Sequence, residues 1–363
     1  MQVDQVNYQS IWVKDNEIVQ VIDQRELPFA FKIKDIRTLE DTYRAIKDMA
    51  VRGAPLIGVT ASFGMYLALL ETEAGNWHRK IIEAGDYLKS ARPTAVNLAF
   101  AVDRIINRLA NVHDLEEAKS IARKTAQDLL EAEKENCLKI GEFGMPLIEA
   151  LANTKNGEPV NILTHCNAGW LACIDYGTAT APIYLAHDKG IKLHVWVDET
   201  RPRNQGARLT AWELQQHGVP YTVIADNTGG LLMQKGMVDM VITGSDRTAI
   251  NGDVANKIGT YLKALAAYDN NIPFYVALPL SSIDNGMDNG MDNMPIEQRH
   301  EHEVKYIEGY HEGQTMKVLL TPPEARVANY GFDVTPARYI TSLITEKGIC
   351  KPNKKEIRKM FTL

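Results

Sequence analysis

Residues 161–169, read as Asn-Ile-Leu-Thr-His-Cys-Asn-Ala-Gly, contain a cysteine at a position where it could act as a reactive group. An apolar run breaks there into polar residues and is followed by a glycine and a helical pattern, which is typical of a buried strand ending at a ligand site. Backbone N–H groups of a following helix would stabilise the thiolate of Cys166 and make it reactive. An unpaired cysteine also serves as a small buried apolar residue, so Cys166 alone does not establish catalysis.

Other predicted strands also end in polar side chains. Asp246 lies in a Gly-Ser-Asp-Arg segment that directly follows an apolar run. The carboxyl ends of parallel strands open on one edge of a sheet, so Cys166 and Asp246 can become neighbours there. Burial would raise the pKa of such an aspartate and suit it to act as a general acid. The further polar residues at predicted strand ends are Asp198, Glu199, Thr200, Arg201, Asp226, Asn227 and Ser281.

Three basic residues occupy positions that suit an anion. Arg52 precedes a Gly-Ala-Pro turn that leads into a helix, and a helix N-terminus beside an arginine can hold a phosphate. Arg92 precedes a proline at a second break between helical patterns. Asn256 and Lys257 are predicted in the first turn of a helix ending near Tyr268, where free N–H groups can bind a phosphate or sugar hydroxyls. Surface loops carry similar residues without function, which is the alternative interpretation of all three.

The patterns around these residues predict an α/β protein with two domains. Residues 8–13 and 17–22 alternate as a β-hairpin, and residues 35–148 show helical periodicity. We therefore expect residues 1–150 to form a mainly helical domain with short N-terminal strands.

From residue 159 short apolar runs alternate with helical stretches, which predicts a Rossmann-like parallel sheet in residues 151–363. Thr335, Pro336 and Gly348 predict a helix over residues 335–347, with an N-cap at its start and a glycine at its end. The expected strands are residues 162–163, 192–197, 221–225, 238–242, 274–278 and 317–320.

Length and composition exclude several functional classes. The 363 residues allow two full cores, and 45% hydrophobic with 24% charged residues is typical of a globular protein. The net charge of −6 argues against a dedicated nucleic-acid surface. The sequence contains neither a signal-peptide pattern nor an apolar stretch long enough for a membrane span. Four cysteines without paired spacing predict free thiols in a reducing cytoplasm.

The sequence also argues against a cofactor or a bound metal. The Thr-Gly-Gly segment at 228–230 lacks the spacing of a dinucleotide-binding loop, so a nicotinamide or flavin is not expected. His300, His302 and His311 resemble a metal cluster only loosely, and an exposed polar segment explains them better.

Several separated motifs resemble the methylthioribose-1-phosphate isomerases, a group related to other aldose-phosphate isomerases and to the regulatory subunits of a translation-initiation exchange factor. The resemblance extends from about residue 25 to residue 348. It rests on Arg-Gly-Ala-Pro at 52–55, Thr-His-Cys-Asn-Ala-Gly at 164–169, Glu-Thr-Arg-Pro at 199–202, Gln-Gly-Ala-Arg-Leu-Thr at 205–210, Gly-Ser-Asp-Arg at 244–247, residues 251–259 and Phe-Asp-Val-Thr-Pro-Ala-Arg at 332–338. Residues 295–299, after a duplicated Asn-Gly-Met-Asp, differ from the run that family members usually carry.

The resemblance implies a homodimeric, cofactor-free isomerase of methionine salvage that converts 5-methylthioribose 1-phosphate to 5-methylthioribulose 1-phosphate. It implies a catalytic pair, Cys166 and Asp246. The residues that it implies for substrate binding are Arg52, Gly53, Ala54, Arg92, Gln205, Asn256 and Lys257. Two alternatives remain open, namely an isomerase of a related sugar such as 5-deoxyribose 1-phosphate and a non-catalytic regulatory subunit. The retained pair favours an enzyme, because fold alone does not determine function.

Overall fold

The computed structural model describes residues 1–15, 17–73, 75–93 and 96–362. The N-terminal part contains two small antiparallel sheets. Their strands are Gln2–Val3 with Val6–Asn7, and Ile11–Asp15, Ile18–Ile22 and Ile33–Ile36 in that spatial order. The predicted hairpin is confirmed. The strand Ile33–Ile36 was not predicted, since only its two ends are apolar and four residues show little alternation.

Helices build the rest of the N-terminal part, as the periodicity predicts. Their bounds are Leu39–Lys47, Ala54–Leu70, Trp77–Ala91, Val96–Leu109 and Leu115–Ala152. The helix Ala54–Leu70 is the central one, because it is apolar all round and residues 55–69 are buried. A helix with this composition is stable only when neighbours cover it on every side.

The helix Leu115–Ala152 links two hydrophobic cores. Asp114 caps it by accepting the backbone N–H of Glu117. Its first half packs in the helical core, and its second half packs against the large sheet and its first crossover helix. Gly144 permits this close approach, since a Cβ there would lie 2.5 Å from a carbon of Pro182. The division of the chain into residues 1–150 and 151–363 stays a prediction.

A seven-stranded sheet dominates the second half of the chain. From one edge to the other its strands are Gly348–Cys350, Ser342–Thr345, Phe274–Ala277, Met240–Thr243, Val160–Thr164, Leu193–Asp198 and Tyr221–Ile224. The strands are parallel except Gly348–Cys350. Helices between them are Ala181–Asp188, Ala211–His217, Thr228–Gln234 and Thr260–Asp269. The predicted α/β class, with a helical N-terminal part and a Rossmann-like sheet, is confirmed.

A second, four-stranded sheet lies beyond the carboxyl edge of the first. Its strands, in spatial order, are Ile283–Asp284, Arg247–Ala249, Val254–Lys257 and Phe332–Thr335. Asn256 and Lys257 therefore lie on a strand, and the prediction that they begin a helix is wrong, because the following helix starts at Thr260. Pairing with the distant strand Phe332–Thr335 holds residues 254–257 extended.

Two further element predictions are wrong. Residues 317–320 were expected in the large sheet, but Gln314–Leu319 forms an exposed hairpin with Tyr306–His311. Residues 335–347 were expected to be helical, but Ser342–Thr345 is a fully buried strand that pairs with Phe274–Ala277. A helix would have left the large sheet without this partner, and tertiary pairing overrides the local cap signals. The short remaining helices are Gly290–Asn293, His302–Lys305 and Lys354–Met360, with 3₁₀ turns at Trp170–Ala172, Leu280–Ser282 and Ala337–Tyr339. Within the described ranges, no helix is both long and apolar enough to cross a bilayer.

Glu133, buried in the long helix, makes stability depend on pH. Burial, reinforced by the charge of Glu346, raises the pKa of Glu133 to about 7 from its ordinary value of 4.5. The hydroxyl of Ser281 donates a weak hydrogen bond to its carboxyl oxygen at 3.3 Å, which offsets the effect of burial only in part. The folded state thus binds a proton between about pH 4.5 and 7 that the unfolded state has lost, so stability falls as pH rises through that window.

We expect Glu133→Gln to remove this dependence, because glutamine stays neutral at every pH. From about pH 5 to 8, the free energy of unfolding of wild type should fall by roughly 2–3 kcal/mol more than that of the variant. Urea unfolding of both proteins at the two pH values measures the difference. If the free energy of unfolding depends on pH equally in the two proteins, then folding does not raise the pKa of Glu133.

Candidate active site

Cys166 follows the strand Val160–Thr164 at its carboxyl edge, in a left-handed backbone conformation with φ of 64°. Residues other than glycine adopt this conformation at a cost, so surrounding groups must hold it. The N–H of Cys166 donates to Thr200 Oγ1 at 2.8 Å, and its carbonyl accepts from Thr210 Oγ1 at 2.7 Å. Clamped on both sides, the sharp turn keeps the thiol at the rim of the sheet.

Asp246 follows the neighbouring strand Met240–Thr243 and begins the second sheet. Its N–H donates to the carbonyl of Ala255 at 3.0 Å. The two sheets therefore meet at Asp246, and its side chain lines the same cavity as Cys166.

All nine residues proposed from the sequence line this one cavity. Four come from the helical N-terminal part and the other five from the region of the two sheets. They are Arg52, Gly53, Ala54, Arg92, Cys166, Gln205, Asp246, Asn256 and Lys257. Their placement agrees with the sequence analysis, while their individual roles stay predictions. A larger and more open groove, lined by residues such as Trp12, His187 and His217, contains none of the nine.

Burial determines the state of the thiol. The expectation that helix N–H groups stabilise a Cys166 thiolate is wrong, because burial raises the pKa of Cys166 more than the nearby Arg52 and Lys257 lower it. The segment after it forms only the short turn Trp170–Ala172 before the chain continues irregularly. Burial therefore favours the neutral thiol of Cys166 over the thiolate.

Asp246 and Lys257 line the same cavity, and the pKa of each depends on burial and on the charge of the other. Burial raises the pKa of Asp246, against the opposing charges of Lys257 and Arg92. Burial also lowers the pKa of the Lys257 ammonium. A raised pKa favours the protonated form of a carboxyl group, which is the form that a general acid needs.

Arg52 and Gly53 form the end of the cavity that the N-terminal helices provide. The guanidinium of Arg52 donates to the Asn167 carbonyl at 2.9 Å and also to the Asn167 side-chain oxygen. Gly53, with φ of 90°, precedes the helix Ala54–Leu70, and a Cβ there would lie 2.3 Å from the carbonyl oxygen of Ala172. Only glycine allows this helix N-terminus, a favourable place for an anion, to reach the cavity.

Several polar atoms in the cavity remain open to a ligand. Among the described residues, Arg52 Nε, Arg92 Nε and Gln205 Oε1 are buried without a hydrogen-bond partner. Burial lowers the pKa of Arg92, although Glu297 and Asp246 oppose the shift. Buried polar atoms are costly to leave unpaired, which indicates that a polar molecule completes them.

Two charged residues of the cavity, Glu297 and Arg299, were not predicted from the sequence. Arg299 donates to Glu297 at 2.9 Å and to Glu303 at 2.8 Å, and these two carboxylates fix the guanidinium. The segment 295–299 was noted only as a departure from the family pattern. A signal existed in its closely spaced glutamate and arginine, but nothing in the sequence placed this segment at the cavity. His165, Asn167 and Phe332 also line the cavity and were not proposed as site residues.

In the described part of the chain, one group of side chains has the spacing of metal ligands. His300, His302 and His311 do not belong to it. It consists of His165, Asp198 and Asp226. The ammonium of Lys263 already lies 3.2 Å from Asp198 Oδ2, and His165 Nδ1 lies 2.9 Å from the same oxygen. A buried cation thus already balances this carboxylate.

Comparison with known proteins identifies close relatives. The model of the "Initiation factor 2 subunit family" matches residues 50–352. A protein of Desulfatibacillum aliphaticivorans named methylthioribose-1-phosphate isomerase is 55% identical, over 98% of this chain and 97% of its own. A protein of Sulfurimonas denitrificans with the same name is 52% identical, over 98% and 99% of the two chains.

The chain is also similar to solved structures. The chain is similar to the crystal structure of 5-methylthioribose 1-phosphate isomerase from Pyrococcus horikoshii OT3, with a TM-score of 0.84 and 38% identity over 98% of this chain and 96% of that one. It is also similar to a structure described as translation initiation factor eIF-2B, subunit delta, from A. fulgidus, with a TM-score of 0.81 and 36% identity over 98% and 100%.

Proposed function

Because the chain belongs to the initiation factor 2 subunit family, with full-length relatives that are methylthioribose-1-phosphate isomerases, we infer that it is the isomerase of 5-methylthioribose 1-phosphate. It converts this aldose to the ketose 5-methylthioribulose 1-phosphate, a step of methionine salvage. The observation that carries the conclusion is the cavity itself, where the thiol of Cys166 and the carboxyl group of Asp246 share a buried space with four basic side chains. A regulatory subunit on the same fold would not need this reactive pair.

We propose Asp246 as the general acid. The anomeric oxygen of the substrate carries phosphate, so the ring cannot open by loss of a hydroxyl proton. When Asp246 donates its proton to the ring oxygen, the bond between C1 and the ring oxygen can break. The raised pKa of Asp246 supports this role, because it favours the protonated carboxyl group that a general acid needs.

We propose that Cys166 assists the movement of hydrogen from C2 to C1. In one route the Cys166 thiolate removes the C2 proton to form an enolate-like intermediate, and the resulting thiol returns the proton to C1. In the other route the hydrogen moves with its electron pair from C2 to C1, while the C2 hydroxyl gives its proton to the Asp246 carboxylate that ring opening has left. Burial, which raises the pKa of Cys166, supports the second route, because a neutral thiol is a weak base but still polarises the C2 oxygen.

We propose that the phosphate is bound by Arg52, Arg92 and Lys257, together with the helix N-terminus at Gly53 and Ala54. The arginines can offer planar pairs of N–H groups, and Lys257 a compact charge. Gln205 and Asn256 would bind sugar oxygens, which the unpartnered Gln205 Oε1 supports.

Lys257→Ala is expected to raise KM by about tenfold or more and to change kcat much less. The ammonium would contact phosphate equally in the ground and transition states, and losing such a contact weakens binding without altering the chemical step. Steady-state kinetics checks this, with Lys155→Ala as the matched control, because Lys155 pairs with Asp239 at the opposite end of a strand. A large fall in kcat at unchanged KM would instead give Lys257 a part in the chemistry.

Incubation of the purified protein with 5-methylthioribose 1-phosphate, followed by NMR, tests the function. The ketose signals should appear with wild type and not with a Cys166→Ser/Asp246→Asn double variant. A parallel incubation with 5-deoxyribose 1-phosphate tests the alternative sugar, and the substrate with the higher kcat/KM is the physiological class. Absence of product from both sugars would favour the regulatory alternative.

We also propose that the enzyme is a homodimer in the cytoplasm. The homodimer is what the family resemblance implies. The cytoplasmic location is supported by the four cysteines, which are all free in the structure although two of them, Cys137 and Cys173, lie side by side.

A further inference from the structure

The helical segment after Gln205 contacts the loop of residues 166–171, which carries Cys166. The chain from Gly206 to Thr210 forms one π-helical turn before the helix Ala211–His217. Such turns occur often at functional sites. A Cβ at Gly206 would lie 1.7 Å from the carbonyl oxygen of Asp198, so glycine is what lets this turn sit against the strand end. Thr210 and Glu213, three residues apart on one face, are both buried.

Thr210 connects the catalytic cysteine with Asn167. Its hydroxyl donates to the Cys166 carbonyl at 2.7 Å and accepts from the Asn167 amide at 3.1 Å. The hydroxyl therefore acts as a donor to Cys166 and as an acceptor from Asn167, two consecutive residues of the loop. The left-handed turn at Cys166 is held by this bond and by the bond to Thr200 on the other side.

Glu213 fixes the rest of the same loop. Its carboxylate accepts the Asn167 amide at 3.0 Å, Trp170 N–H at 3.0 Å, Leu171 N–H at 2.9 Å and the Tyr184 hydroxyl at 3.0 Å. The loop lies so close to this carboxylate that a Cβ at Gly169 would be 1.7 Å from Oε2. A buried carboxylate with four donors is fully satisfied, which makes it a rigid support.

Asn167 transmits this support to the cavity. Its amide group donates to Thr210 and Glu213, so its side-chain oxygen must face the other way, where it accepts the guanidinium of Arg52. Arg52 comes from the N-terminal part of the chain and has no carboxylate ion-pair partner among the described residues. Its position in the cavity thus depends on Asn167, through both the backbone carbonyl and the orientation of the side-chain amide.

We propose that Thr210 and Glu213 are positioning residues that hold Arg52, through Asn167, in place for the phosphate and hold Cys166 in place for the reacting carbons. Neither residue lines the cavity, so neither is a catalytic residue in the strict sense. The proposal rests on the proposed function for the claim that Arg52 and Cys166 act on a sugar phosphate. The loop geometry on which it also rests is independent of that function.

Thr210→Val tests the proposal, because valine keeps the shape and removes both hydrogen bonds. We expect kcat/KM to fall about tenfold or more, since a buried carbonyl and a buried amide each lose a partner. Thr210→Ser restores the hydroxyl and should stay within about threefold of wild type. Thr125→Val is the matched control, since it removes another buried threonine bond, at 2.7 Å to Ile121, in a helix away from the cavity.

Protection of Cys166 by phosphate gives a readout that does not require turnover. Iodoacetamide labelling, with peptide mass spectrometry to isolate Cys166 from the other three cysteines, measures how much inorganic phosphate halves the labelling rate. Thr210→Val and Glu213→Gln should each need about tenfold more phosphate than wild type, while Thr210→Ser and Thr125→Val should not. Glu213→Gln provides the same test if the valine variant does not fold.

The outcomes separate the two claims. If wild type shows no isomerase activity, the proposed function fails, and phosphate protection still decides whether Thr210 and Glu213 position Arg52. If folded Thr210→Val and Glu213→Gln match wild type in both kcat/KM and phosphate protection, the positioning role is overturned. Equal losses in Thr125→Val would also overturn it, because the effect would then be one of general stability.

Discussion

Asp246→Asn should still bind the sugar phosphate but lose turnover by about 100-fold or more. Asparagine keeps the size and much of the hydrogen-bonding capacity of aspartate, yet it has no proton to give to the ring oxygen. Circular dichroism should show an intact fold, and KM should change little. Because burial raises the pKa of Asp246, we also expect the wild-type rate to fall at high pH, as the acid loses its proton, and this limb of the profile should disappear in the variant.

A matched aspartate controls for the loss of a charge. Asp239 and Asp246 lie at opposite ends of the strand Met240–Thr243. Asp239 precedes the strand and pairs with Lys155, whereas Asp246 follows it. Asp239→Asn should therefore keep near-normal kcat in whatever protein remains folded. A near-normal kcat in Asp246→Asn would remove that residue from the acid role and direct attention to Glu297 across the cavity.

Cys166→Ser should reduce kcat by about 100-fold or more while leaving the fold and phosphate binding intact. A hydroxyl is far less acidic and less polarisable than a thiol, so it serves poorly either as a base or as a polarising group. The backbone clamp from Thr200 and Thr210 does not involve the side chain, so serine should adopt the same turn.

A buried cysteine outside the cavity shows whether the loss of rate is specific to Cys166. Cys350 is also buried but lies at the edge strand of the large sheet, outside the cavity. Cys350→Ser should retain wild-type kcat, and steady-state kinetics with the sugar 1-phosphate compares the two variants. Equal activity of Cys166→Ser and wild type would mean that the thiol takes no part in moving hydrogen.

The sequence predicted the large sheet and the positions at its carboxyl edge because those signals are local. The strand Val160–Thr164 is an apolar run that ends abruptly, and the same pattern precedes Asp246. Parallel topology then requires Cys166 and Asp246 to share an edge. The position of Arg52 was likewise predicted, since the glycine and the proline that follow it mark the start of a helix.

What the sequence did not predict depends on contacts between distant residues. The short segment Val254–Lys257 is a strand because it pairs with Phe332–Thr335, about 75 residues later, and local patterns contain no trace of that pairing. The strand Ser342–Thr345 was mistaken for helix because threonine, proline and glycine gave convincing cap signals around it. The thiol's raised pKa reflects enclosure by three separate parts of the chain, which no local spacing reports.

The long helix Leu115–Ala152 has a consequence for engineering this protein. Since one half belongs to the helical core and the other half to the sheet core, the two cores should melt as one cooperative unit. A gene fragment that stops midway along the helix would expose an unmatched apolar stripe and tend to aggregate. Fusion partners and split reporters therefore belong on the exposed hairpin at Tyr306–His311 and Gln314–Leu319, where an insertion disturbs neither core.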